Sequence, residues 1–104
     1  MTSLGDQIGD AAADALTATR PRRFDTAIDR FTLALQTVPD YPAAELSDEA
    51  FARVTSLAEQ VISAIEHRLE DDVDDRRREA LGARVYDIRR GLENAFAWRR
   101  HYRN

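Results

Sequence analysis

A chain of 104 residues with no cysteine, no lysine and a formal net charge of -4 fits one domain with a single core, and excludes both a disulfide framework and a thiolate zinc site. The first twenty residues lack a basic start followed by an apolar run, and no eighteen consecutive residues are apolar, so neither a secretory signal nor a membrane span is expected and the cytoplasm is the expected location. Leu, Ile, Val and Phe together number 23, close to the roughly one-fifth below which a highly charged chain stays disordered, so the core must be used efficiently or shared.

Residues 1–20 predict a weak N-terminal helix. Leu4, Ile8, Ala12, Ala15 and Leu16 recur at helical spacing, and Gly5 and Gly9 weaken it. Arg20-Pro21 marks a boundary, because the residue before proline avoids the helical region while proline itself suits a first turn. The second helix is expected over 21–38, with Phe24, Ala27, Ile28, Phe31, Ala34, Leu35 and Val38 on one stripe. Pro39 and Pro42 stop it. A third helix is expected over 47–70, capped by Ser47 or Asp48, its apolar face of Phe51, Val54, Leu57, Ala58, Val61, Ile65 and Leu69 broadened by Ile62 and Ala64. That face spans about 160° at 100° per residue, wide enough for two neighbours. Helices 21–38 and 48–70 are expected to pair antiparallel through Phe31, Leu35, Val54 and Val61.

The aspartates between Glu70 and Asp75 favour a turn or a kink, although nothing there forbids one continuous helix. The last helix is expected over 75–102, with Leu81, Val85, Ile88, Leu92, Ala95 and Phe96 on one side, flanked by Trp98 and Tyr102. Gly91 falls where a missing side chain would admit a partner helix or let the Trp98 indole fold down. Charge is unevenly divided: residues 1–75 hold 6 Arg against 16 acids, a net of -10, and residues 76–104 hold 9 Arg against 3 acids, a net of +6.

The run from Phe24 to Tyr41, continued by Ala44, resembles the second helix of a tetratricopeptide repeat with its exit turn. Phe24, Asp25, Ala27, Phe31, Ala34, Leu35, Pro39 and Asp40 fill the family's aromatic, acidic, small, leucine and closing proline positions. Ala15 stands twelve positions before Ala27, where the family places the small residue of its first helix. Asp14 and Ala18 depart from the pattern, and nothing after Ser47 resembles a second repeat. The resemblance covers about a quarter of the chain, and it implies a helical hairpin used for protein contact.

His67, Asp71 and Asp74 follow i, i+4 and i+7 spacing, but a metal column needs ligands from a second helix and the chain lacks the Glu-x-x-His pairs of helical di-metal sites. Glu59, Glu66 and Glu70 likewise miss the paired-carboxylate spacing of helical nucleotide pyrophosphatases. His67 and His101 are the two histidines, neither stands in a catalytic motif, and no phosphate-cradling glycine loop occurs. No catalytic, cofactor-binding or metal-binding residue is therefore assigned.

The arginines Arg76, Arg77, Arg78, Arg84, Arg89, Arg90, Arg99, Arg100 and Arg103, interleaved with Trp98, His101 and Tyr102, have the chemistry of phosphate contact and base stacking. The acidic remainder and a sequence pI near 5.1 oppose that reading, and Arg84 and Arg99 are expected to pair with acids of residues 70–75 or of a partner chain.

The expected protein is all-α, a small antiparallel bundle of three to four helices forming one domain over 1–104. Its expected function is a non-enzymatic protein–protein interaction module, an adaptor or regulatory subunit in a homo- or hetero-oligomer. Leu92, Phe96, Trp98, Arg99 and Tyr102 are the expected partner-binding residues, since Trp, Tyr and Arg concentrate at interface hot spots. The competing reading of Trp98 is a cap on the chain's own core. The alternative function is a small nucleic-acid-associated regulator using the Arg-rich C-terminal helix.

Overall fold

The computed structural model describes residues 4–38, 47–71 and 74–103, the side chains of the last stretch through Trp98. Its elements are four helices: α1 (Leu4–Thr17), α2 (Pro21–Gln36), α3 (Asp48–Asp71) and α4 (Asp75–Arg103). Among the described residues no helix is long and apolar enough to cross a membrane.

Local chemistry starts and stops these helices. Arg20 is extended, at φ -92° and ψ 136°, and places Pro21 in the first turn of α2, where its missing N–H costs nothing. At the other end the Thr37 N–H donates to the carbonyls of Leu33 and Ala34 at 3.2 Å. The turn expected at Pro39 and Pro42 lies outside the described residues. Ser47, rather than Asp48, caps α3: its Oγ accepts from the Ala50 N–H at 3.1 Å. Asp74 does the same for α4, accepting from the Arg76 N–H at 3.0 Å. The aspartate-rich stretch therefore separates two helices.

Short connections make α1–α2 and α3–α4 into antiparallel hairpins, and the hairpins stack with α1 beside α3 and α2 beside α4. The neighbouring pairs across the stack run parallel. Arg77, Arg84 and Gly91 of α4 meet Asp25, Asp29 and Leu35 of α2 in the same order, and Arg68 near the end of α3 reaches Ala18 just past the end of α1. This corrects the expected pairing of residues 21–38 with 48–70. Phe31, Leu35, Val54 and Val61 are all buried in one core, yet α2 and α3 face each other across the diagonal of the bundle. The physical reason is connectivity: the short α1–α2 and α3–α4 connections make each helix a neighbour of its hairpin partner, and the second neighbour of α2 is α4.

The core is built from Leu4, Ile8, Phe24, Ile28, Phe31, Leu35, Val54, Val61, Ile65, Leu81 and Ile88 with a lining of Ala11, Ala12, Ala15, Ala27, Ala58 and Ala95. In α1 Ala11 is buried and Leu16 is exposed, so the helix presents small side chains and lets α2 come close. In α4 the buried side chains of Leu81, Ile88 and Ala95 repeat every seven residues, with Gly91 buried between them and Val85 and Leu92 half-buried at the edges, a narrower stripe than expected. The space above Gly91 is taken by Leu35 of α2 and not by the Trp98 indole: a Cβ there would stand 3.3 Å from Leu35 Cδ2.

At the junction of three helices the Arg68 guanidinium lies 3.8 Å from the centroid of the buried Phe24 ring and donates to the Ala18 carbonyl. One side chain of α3 thus satisfies an orphan carbonyl beyond α1 and covers the first aromatic of α2.

Two stability outcomes are expected. A Cβ at Gly82 meets nothing within 4 Å, so Gly82→Ala should stabilise by about 0.5–1 kcal/mol through helix propensity, whereas Gly91→Ala should lose that gain to Leu35. Urea unfolding of both variants checks this, and equal stabilisation would contradict the close approach of α2 to α4. Arg68→Met, which keeps the apolar stem but removes the donor, should destabilise by about 1–3 kcal/mol, measured in the same way.

Candidate functional site

Helical spacing places Ala58 and Ile62, both buried, one turn apart at the edge of the core face of α3, with Glu59, Ser63, Glu66, His67 and Glu70 beside them. Facing them, α4 presents Arg89, Leu92, Glu93 and Phe96. Together they form a groove of about 750 Å³ along the α3–α4 seam. Small side chains at Ala58 and Ser63 keep it concave. Its floor is apolar, from Ala58, Ile62, Leu92 and Phe96, and its rim carries Glu59, Glu66, Glu70 and Glu93. Phe96 is 42% exposed and held edge-on against the buried Phe51, with ring centroids 4.9 Å apart and planes at 76°. Among the described residues Glu66 is the one rim glutamate in an ion pair, with Arg89 at 3.6 Å.

The expected partner-binding residues divide. Leu92 and Phe96 line the groove. Trp98 is half-buried and packs against the chain's own core, in line with the competing reading of that residue. The side chains of Arg99 and Tyr102 lie outside the described residues. Ile62, Glu59 and Glu93 belong to the groove but were not expected there; the signal in the sequence was the breadth of the third helix's apolar face, which Ile62 extends.

The α4 arginines turn partly inward. Arg84 grips Asp29 with two contacts, Nε to Oδ1 at 2.6 Å and Nη2 to Oδ2 at 3.3 Å, and its Nη1 also donates to the Ala80 carbonyl at 3.0 Å. This corrects the expectation that Arg84 pairs with residues 70–75: the parallel register of α2 and α4 brings Asp29 to it instead. The hydrogen bond to Asp29 raises the Arg84 pKa above its ordinary value, against the opposing effect of burial. Its contribution is complete below the ordinary arginine value and is lost only as pH rises beyond it, so it is constant across the neutral range. Arg77 pairs with Asp25 at 3.2 Å.

A second groove, about 810 Å³, lies in the α1–α2 elbow and is lined by Arg20, Arg22, Arg23 and Arg30, with Arg30 paired to Asp14 at 2.8 Å. It lies on the seam opposite the glutamate-rimmed one. Arginine density around Pro21 was the signal that could have found it.

Of the His67, Asp71 and Asp74 series, His67 lines the α3–α4 groove, Asp71 is the last residue of α3 and Asp74 caps α4, so the helical spacing breaks before the third residue. Among the described residues no group of three or more His, Asp or Glu side chains is placed to hold a metal ion. Melting with and without a chelator should give the same Tm, because an ion held only by the folded state would raise it; a drop of several degrees with chelator would contradict this. Comparison of the chain with protein-family models, curated proteins and solved structures finds no match, so the reading of the site rests on its geometry.

Proposed function

We propose that this chain is a non-catalytic helical protein–protein interaction module of the cytoplasm, an adaptor or regulatory subunit that docks a partner on the α3–α4 groove. The observation that carries the reading is Phe96, a large aromatic exposed beside Leu92 and Ile62 in a concave apolar strip ringed by glutamates. An apolar centre with a charged rim is the anatomy of a protein interface, and contiguous exposed apolar surface on a monomer marks such sites. The tetratricopeptide-like phrase of residues 24–44 agrees with a contact role. The lack of cysteine agrees with a reducing compartment.

The nucleic-acid reading draws less support. Arg77 and Arg84 are half-buried in pairs with acids of α2, which leaves them poorly presented to a phosphate backbone. Binding to phosphate would weaken steeply with salt, whereas an apolar interface would not.

The test is co-purification from the native host with light scattering of the recovered complex. Wild type and Leu33→Ala, whose side chain is 64% exposed on α2 away from the groove, should retain the same partner. The double variant Leu92→Ala, Phe96→Ala should lose it while still melting cooperatively. A partner kept by both variants would place the interaction elsewhere.

A further inference from the structure

Taking the α3–α4 groove as the partner surface, the charge on its walls identifies the kind of partner. We propose that the groove receives a basic amphipathic helix of another protein, with its apolar stripe on Ile62, Leu92 and Phe96 and its Arg or Lys flanks against Glu59, Glu70 and Glu93.

Shape is the first argument. From Ala58 to Glu70 the groove follows α3 over twelve helical steps, about 18 Å at 1.5 Å per step. That is the length of three helical turns; the apolar floor, Ala58 and Ile62 facing Leu92 and Phe96, takes up about one turn of each helix, and the glutamates line the rest, which suits a docked helix with a short apolar stripe and cationic flanks.

Charge is the second. Among the described residues the walls hold four glutamates against one arginine, and that arginine, Arg89, is already paired with Glu66. Glu59 on α3 and Glu93 on α4 both fall between the Phe51–Phe96 ring contact and the Glu66–Arg89 ion pair, one on each wall. Two like charges flanking an apolar strip favour an occupant whose cations reach both sides, and they repel an acidic one.

The same charges argue against a second copy of this chain. A two-fold contact through the groove would set the glutamate rim against itself. A head-to-tail contact onto the arginine-lined α1–α2 elbow would set one concave surface against another.

The experiment uses the full chain and three fluorescein-labelled peptides of about 18 residues, read by fluorescence anisotropy. One carries a leucine stripe with arginine flanks, one the same stripe with glutamate flanks, and one the same arginines without a stripe. The striped basic peptide should bind at least about tenfold more tightly than either other peptide. Glu59→Arg with Glu93→Arg, both exposed positions, should reverse the preference between the two striped peptides, and Leu92→Ala with Phe96→Ala should abolish binding of both.

Equal binding of the two striped peptides, lost with Leu92 and Phe96, would overturn the basic partner while leaving the groove a docking site. Equal binding of the two basic peptides would overturn it as bulk electrostatics. If no peptide binds, the inference falls. Light scattering and the co-purification then separate two cases: self-association lost with Phe96→Ala assigns the groove to a second copy, and a monomer at every concentration that recovers no partner removes the docking reading as well.

Discussion

Arg68 stands where the two hairpins meet. Its guanidinium covers the face of Phe24 and donates to the Ala18 carbonyl, so one residue near the end of α3 touches both halves of the other hairpin. A charged group so placed is held only if its hydrogen bonds are satisfied, and breaking them leaves Ala18 without its partner. Further along the bundle the two hairpins are held by shape instead, where Leu35 fills the space above Gly91. Between these points the stacking of α1 on α3 and of α2 on α4 is determined.

That stacking explains how so polar a chain forms a core. The N-terminal three-quarters is acidic and the last helix basic, and the parallel register of α2 and α4 brings the two together as Asp25–Arg77 and Asp29–Arg84. Partly exposed pairs of this kind contribute up to about 1 kcal/mol each. Their larger effect is on register, since sliding α4 by one turn would separate both pairs and push Leu35 off Gly91. Alanine-rich α1 serves the same end, because small buried side chains let α2 approach and compensate for few large ones.

The same arrangement leaves the α3–α4 seam open. Neither α1 nor α2 can cover it, because each lies on the other side of one of its two helices. Phe51 meets Phe96 edge-on from beneath, a contact that favours the exposed ring's orientation. For the docking proposed above, a floor whose aromatic ring is held by Phe51 would lower the entropic cost, as preorganisation does.

Much of this was legible in the residues. Apolar spacing located all four helices, Arg20-Pro21 placed the start of α2, and the choice between Ser47 and Asp48 bracketed the start of α3, because propensity, capping and proline geometry act over a few neighbouring positions. Leu92 and Phe96 were also legible, as apolar residues in excess of what one neighbour covers. Three things belonged to the tertiary structure alone: which helices are neighbours, which acid Arg84 meets, and whether Leu35 or Trp98 fills the gap at Gly91. Each depends on the relative position of segments some fifty residues apart, and an amphipathic stripe tells a helix which face to bury without telling it against whom.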